Sequence, residues 1–387
     1  MKLRKDKWQV VTIGEVVSEL RNTAYNPIEE GYEKYIGFEH IEPENLNLKV
    51  FGDLNDGVTF KKTFERNDVL FGKIRAYLKK VAVAPIDGIC SGDILVLRTA
   101  NEKKLSQNLL PYYLTTDSFL KRAVDSSIGT TLPRTKWQHL TKHKIPLPCL
   151  EEQKQIATLF QSIETAMERV DGQEKNLKAL WLWLIDEFVS EKPTFGNLLK
   201  SKKLKHVKYS EATEKLMRRI EPVSYGIERI VGGENLEAED FKIRTWGTVG
   251  KDVLGPAFYV LFKPGDILYG SRRTYLKKVS FADFEGVCAN TTYVIRAKES
   301  LLLQDLLKHI MLSSKFTLYS IGVSKGSTNP YINWKDLDDF TFEIPDIETQ
   351  KIIAETLDAI LEVREQLNQQ KSTLKLLKQK LLNEILG

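Results

Sequence analysis

Cysteine is scarce in this chain of 387 residues: only Cys90, Cys149 and Cys288 occur, with no C-x-x-C pair. That excludes a disulfide framework and a zinc finger. Long hydrophobic runs are missing as well, since no stretch approaches the ~18–20 apolar residues that cross a bilayer. The basic start Met1-Lys2-Leu3-Arg4-Lys5-Asp6-Lys7 runs into Trp8-Gln9-Val10-Val11-Thr12 without an apolar signal core, which predicts a cytoplasmic protein. Charge of one sign is only slightly in excess, at +5. Such a balance permits an anionic partner without demanding one, so a nucleic-acid reading has to rest on where the cations sit.

Signatures of chemistry are missing too. The segment Gly247-Thr248-Val249-Gly250-Lys251-Asp252 falls short of a phosphate loop, because Thr245 stands where its first glycine belongs and Asp252 where it needs a hydroxyl. Asn329-Pro330-Tyr331 is a fragment of an N-P-P-Y motif without its second proline, and reads as a turn. His139 and His143 are four apart but have no further ligand close by, and Cys90 and Cys288 read as small core residues. No glycine-rich nucleotide fingerprint, helicase motif or nuclease carboxylate cluster is present. Catalysis, if any, belongs to a partner.

What the chain does have is itself, twice. Residues 64–99 read FERNDVLFGKIRAYLKKVAVAPIDGICSGDILVLRT, and 262–297 read FKPGDILYGSRRTYLKKVSFADFEGVCANTTYVIRA. At a constant offset of 198, 15 of 36 pairs are identical, including Asp68/Asp266, Gly72/Gly270, Arg75/Arg273, Tyr77/Tyr275 and Cys90/Cys288. Downstream the match resumes one residue shorter, placing Trp137 on Trp334, Pro148 on Pro345, and Gln153-Lys154-Gln155-Ile156-Ala157 on Gln350-Lys351-Ile352-Ile353-Ala354. The second copy carries extra residues near its start, among them 212–219. A length of 387 residues suits two domains that each bury a core. Short β-branched runs such as Val81-Ala82-Val83-Ala84 and Ile94-Leu95-Val96-Leu97 predict strands, and 109–124 and 301–319 predict helices among them.

A Pro-bearing strand closes each globular part, and a long helix follows. Apolar residues recur at Ile156, Leu159, Ile163, Met167, Val170, Leu177, Trp181, Leu184 and Phe188. They recur again at Ile353, Leu357, Ile360, Leu367, Leu374, Leu381 and Ile385, with Arg364, Lys371 and Lys378 interrupting the seam. Residues 346–386 would make a rod of roughly 60 Å at about 1.5 Å per residue. Either each helix covers its own sheet, or the two pack on each other antiparallel as a spacer; the length and matching positions favour the spacer. The expected class is therefore α+β: two similar mixed-sheet domains, 1–148 and 191–345, separated by long helices at 149–190 and 346–387. Trp181-Leu182-Trp183-Leu184 is more apolar than one seam requires, which makes Trp181 and Trp183 a contact with the adjoining domain or a docking patch for another protein.

Two segments in each copy suit nucleic acid. In the first, Lys73, Arg75, Tyr77, Lys79 and Lys80 recur as Ser271, Arg273, Tyr275, Lys277 and Lys278, with Ile74 replaced by Arg272. Lysine neutralises phosphate, while arginine can fork onto guanine. Positions kept in both copies suit backbone contact or structure, and those that differ suit base reading. The second segment places Thr130, Thr131 and Arg134 beside Gly129, and Lys325, Ser327 and Thr328 beside Gly326. Small hydroxyl residues around glycine allow close approach to phosphate. The competing readings are a solvated Lys-Lys turn with a core tyrosine, and a plain turn before the tryptophan strand.

Taken together, Tyr35-Ile36-Gly37-Phe38-Glu39-His40-Ile41, Asn67-Asp68-Val69-Leu70-Phe71-Gly72-Lys73, and Ile145-Pro146-Leu147-Pro148 followed by Glu151-Glu152-Gln153-Lys154-Gln155-Ile156-Ala157 resemble the specificity subunit of type I restriction–modification enzymes. The second copy departs from the last pattern, with Glu348-Thr349-Gln350 in place of the double Glu. The resemblance implies two target recognition domains, each reading half of a split, asymmetric DNA site, and helices that fix the spacer. It implies half-sites about one helical turn apart, ~34–36 Å. It further implies docking of two modification subunits that carry S-adenosylmethionine, and of motor–nuclease subunits that use ATP and magnesium, with no cofactor on this chain. The rival from another class is a coiled-coil scaffold with protein-binding ends, which predicts no salt-dependent DNA affinity. A self-sufficient methyltransferase lacks a cofactor motif.

Overall fold

The computed structural model describes residues 3–252 and 255–387, so the first two residues of the basic start lie outside it. The chain forms two compact units, 1–171 with 369–387 and 172–368. Each unit thus takes a portion of each long helix along with one globular part.

In the first unit, Val17–Leu20, Ile94–Thr99, Val69–Gly72 and Val81–Val83 form an antiparallel sheet in that order. A second sheet runs Gly52–Asp53, Lys34–Ile36, Gly88–Cys90, Lys62–Phe64, with one parallel pair at its centre. A third pairs Gln9–Thr12 with Lys144–Leu147. The second unit repeats all three. Thr213–Leu216, Thr292–Ala297, Ile267–Gly270 and Val279–Phe281 make the first sheet; Gly247–Thr248, Arg229–Val231, Gly286–Ala289 and Phe258–Phe262 the second; Lys205–Lys208 with Thr341–Ile344 the third.

The apolar runs fail to alternate because both faces of the central strands are covered. Val69 and Phe71 point into one cluster and Leu70 into another, as the period of two requires. Ile267 and Tyr269 against Leu268 do the same. The shared glycine Gly88/Gly286 has one reason in both copies: an added Cβ would lie 2.6 Å from Phe64 Cζ, or 2.5 Å from Phe262 Cζ.

The helical stretches expected over 109–124 and 301–319 are each broken in two. Leu110–Tyr113 is followed by Asp117–Asp125, and Gln304–Ile310 by Ser314–Gly322. A hydroxyl stops each first helix and starts the next: Thr116 accepts from Phe119 N at 3.3 Å, and Ser313 from Phe316 N at 3.1 Å. The apolar pattern runs on through such a cap, which hides it.

The long helices run Leu150–Phe188 and Ile347–Leu386. Buried Gln153 fastens the first, donating to the carbonyls of Lys104 (2.7 Å) and Pro148 (2.9 Å) and accepting from Ser106 N. Gln350 repeats this with Leu301, Pro345 and Leu303. The departure at the double Glu also has a cause. Glu152 accepts from Arg4 N and Trp8 Nε1, whereas Thr349 donates to Asp346, which caps its own helix.

The three cations that break the apolar seam are its register marks. In the first unit Lys371 meets Asp171 at 2.5 Å and Lys378 pairs with Glu164, so the helices are antiparallel there. In the second unit Arg364 forks onto Glu174 at 2.7 and 3.0 Å. The apolar ends of the helices enter the unit cores instead: Ile156, Phe160, Leu382, Ile385 and Leu386 in one, Trp181, Ile185, Ile353 and Leu357 in the other. Among the described residues no helix is long and apolar enough to cross a membrane.

Candidate nucleic-acid interface

The hairpin that carries the basic segment is anchored at its base by a buried acid. Asp68 (1% exposed) and Asp266 (0%) each accept from Nε of one arginine, Arg98 and Arg296, at 2.6 Å. Each carboxylate also accepts a backbone amide, from Glu65 or Lys263, closing the turn that leads into the strand. Asn67 and Gly265 sit in the left-handed region there, φ 71° and 85°, which those two residue types tolerate best.

Beyond the strand, a single 3-10 turn forms the tip: Ala76–Leu78 in one copy and Thr274–Leu276 in the other. Left-handed residues flank it on both sides. Arg75 and Lys79 have φ 47° and 52°; Arg273 and Lys277 have 52° and 49°. A non-glycine residue there costs about 1–2 kcal/mol, and the same strain recurs at matching positions in both copies. The turn holds Tyr77 and Tyr275 outward, 56% and 51% exposed.

The tip lysines have partners inside their own unit. Lys79 pairs with Glu44 at 3.0 Å, and Lys277 with Glu239 at 3.1 Å. Lys80 lies 4.3 Å over the Phe38 ring and donates to Phe38 O at 2.8 Å; Lys278 donates to Gly233 O. Burial lowers the pKa of Lys80. These four lysines hold the turn to its domain, which is the structural role left open for positions kept in both copies.

The second candidate segment is brought against the first. Arg75 N donates to Pro133 O at 2.8 Å, and Arg273 N to Pro330 O at 2.7 Å. Isolated bridges join Ile74 to Arg134 and Arg272 to Tyr331. Thr130, Thr131, Ser327, Thr328 and Lys325 stand exposed on this loop, whose turn uses left-handed Gly129 and Gly326 (φ 113° and 87°). Lys325 reaches Asp336 at 3.0 Å. Segments more than 50 residues apart thus form one surface in each unit.

Two parts of this surface escaped sequence reasoning. Asp93 holds Arg134 at 3.1 Å, with Lys73 3.9 Å away. Beside it a cleft of about 420 Å³ is lined by Arg21, Lys62, Lys73, Lys136 and Trp137. Lys62 there donates to Ile94 O at 3.0 Å, and burial lowers its pKa. Lys73 and the shared tryptophan mark the place in sequence, but the cations come from four separate segments, and each tryptophan opens a helical turn (Trp137–Leu140, Trp334–Leu337) where a strand was expected.

Of the two roles expected for Trp181, contact with the adjoining domain is the one the fold shows, and docking is not. Trp181 is fully buried, donates to His309 Nδ1 at 3.2 Å and packs edge-on against Phe241, so it belongs to the second unit's core rather than to a docking patch. Trp183 is 56% exposed. His139 and His143 are likewise occupied, by the Ser126 carbonyl and the Phe119 ring. Burial pushes the thiols of Cys90 and Cys288 up to about 12, so neither supplies a thiolate at neutral pH.

Comparison with known proteins fits this duplicated arrangement. The family model described as the type I restriction modification DNA specificity domain matches residues 5–179 and again 242–376. The chain belongs to that family. It is 23% identical to the type I restriction enzyme MjaVIII specificity subunit of Methanocaldococcus jannaschii, across 98% of this chain and 92% of that one. It is 30% identical over 165 residues to the EcoDI specificity subunit of Escherichia coli, a match spanning 42% of this chain and 36% of the relative. A solved structure from work on assembly and conformational transition of the type I R-M system shares the fold, with TM-score 0.60, 20% identity, and coverage of 99% and 98% of the two chains. The specificity-domain match falls on both copies, so both tips described above lie on domains of the same family.

Proposed function

We propose that this specificity-family chain is the DNA-reading subunit of a type I restriction–modification assembly. Each globular domain reads one half of a bipartite, asymmetric site. The long helices set the spacer and dock two modification subunits, and motor–nuclease subunits join for cleavage. The chain performs no chemistry: S-adenosylmethionine, ATP and magnesium reside on the partners, and Trp183 is the side chain of the tryptophan pair left for docking.

The observation that carries this reading is the tip itself. A strained turn with an exposed tyrosine, entered through a left-handed arginine that is half-buried in the first copy and exposed in the second, is built in both copies, while the positions around it diverge. Identical elements suit the phosphate backbone, which is the same everywhere, and divergent ones suit bases, which are not.

Mapping adenine methylation in cells with and without the gene tests it. One bipartite, non-palindromic motif should disappear with the gene. Exchanging residues 1–148 for those of another family member should alter one half of that motif and leave the other intact. Alteration of both halves, or of neither, would overturn the division of labour.

A further inference from the structure

One backbone bridge closes the tip of each domain, and the two copies carry its arginine on opposite sides, on the second loop in one and on the hairpin in the other. In the first unit the bridge pairs Ile74 of the hairpin with Arg134 of the second loop; in the second it pairs Arg272 of the hairpin with Tyr331 of the loop. Ile74 is buried, whereas Arg134 and Arg272 are both exposed. Each tip therefore presents one guanidinium at this bridge, reached by a different route.

Their surroundings differ in the same direction. Arg134 is held through Nε by Asp93 Oδ1 at 3.1 Å, a bond that leaves its terminal amino pair for a base edge. In the second unit Thr291 replaces Asp93, and its carbonyl accepts from Ser271 Oγ at 2.6 Å. Arg272 makes no ion pair among the described residues. The other tip arginines, Arg75 and Arg273, are alike in both copies and locked in the left-handed backbone, as suits a contact common to both half-sites.

We propose that the bridge arginine is the guanine-reading group of each half-site: Arg134 for the first domain, pre-set by Asp93, and Arg272 for the second. A guanidinium offers two parallel donors in a rigid planar fork to O6 and N7 of guanine, where a lysine offers a rotatable point charge. The inference rests on the DNA-reading function above and names the residues that carry it.

The test is the methylation motif in cells holding the complete system, mapped for R134A, R134K, R272A and R272K. R272A should relax one base position in one half-site, with a loss of discrimination on the order of 10- to 100-fold. R134A should relax one position in the other half. The lysine variants should stay relaxed, because an ammonium keeps the charge but not the fork. An unchanged motif, relaxation in both halves from one substitution, or recovery with lysine overturns the assignment. Should methylation vanish in a variant, the purified complex with its modification subunits is competed against duplexes carrying single-base changes. Loss of preference at one position supports the assignment, and uniform weakening across the panel overturns it. Failure of the parent function looks different: the mark would survive deletion of the whole gene.

Discussion

At the scale of single residues, repetition located the important positions but not their work. Asp68 and Asp266, Lys79 and Lys277, Lys80 and Lys278 are identical across the copies, yet in the fold they secure the hairpin to its own domain. A residue copied for stability and one copied for binding look the same in sequence, because both are under one constraint per domain. His309 shows what sequence leaves out entirely. It accepts from Trp181 Nε1 on Nδ1 and so donates from Nε2 to Asp358 at 2.9 Å, a neutral tautomer in a buried site. Burial lowers its pKa below the ordinary 6.5, outweighing the opposite pull of Asp358, and Lys308 adds to the lowering. Burial would raise the carboxyl of Asp358, but the bonds from His309 and Lys308 hold it below its ordinary value. With the folded histidine pKa depressed, the unfolded chain takes up the proton first as pH falls below about 6.5. Stability is full above that value and declines beneath it. Urea unfolding at about pH 7.5 and 5.5 should show this loss, and His309→Gln should shrink it; an equal loss in the variant would remove His309 as its source.

At the scale of elements, the long helices were legible from their heptad rhythm and freedom from proline. Their pairing was not, because a cation at a seam position reads as an interruption until its partner is seen. Lys378 and Glu164 are both largely buried, with side chains 9% and 11% exposed. Removing one partner strands the other charge, so Lys378→Met should cost about 3–5 kcal/mol in unfolding free energy. Adding Glu164→Leu should restore most of it, since a buried ion pair often gains little over apolar packing. If the double variant proves as weak as the single one, the pair contributes more than mutual neutralisation. The broken helices were illegible for a related reason: Thr116 and Ser313 act as caps only through the backbone amides they face.

At the scale of the molecule, the duplication carried most of the inference, and the sheets repeat it strand for strand. The surface it builds was only partly visible, since Asp93 is replaced by Thr291 in the second copy, and Lys62 and Lys136 lie outside the residues that match between the copies. A whole assembly that grips phosphates through two such surfaces should respond steeply to salt. With roughly 6–10 phosphate contacts, affinity for a cognate duplex should fall about 10³–10⁵-fold between 50 and 200 mM salt. A flat response in a fluorescence binding titration would favour the protein scaffold instead.

The partition of the long helices makes the two units unequal in what each needs from the chain. Leu382, Ile385 and Leu386 are buried in one core with residues more than 200 positions earlier, such as Tyr112 and Phe160. The first unit therefore has a complete core only when residues 369–387 are present, whereas the unit of residues 172–368 is contiguous in sequence. Deleting residues 369–387 should therefore damage the first unit, whose other residues are 1–171, and spare the sequence-contiguous second one.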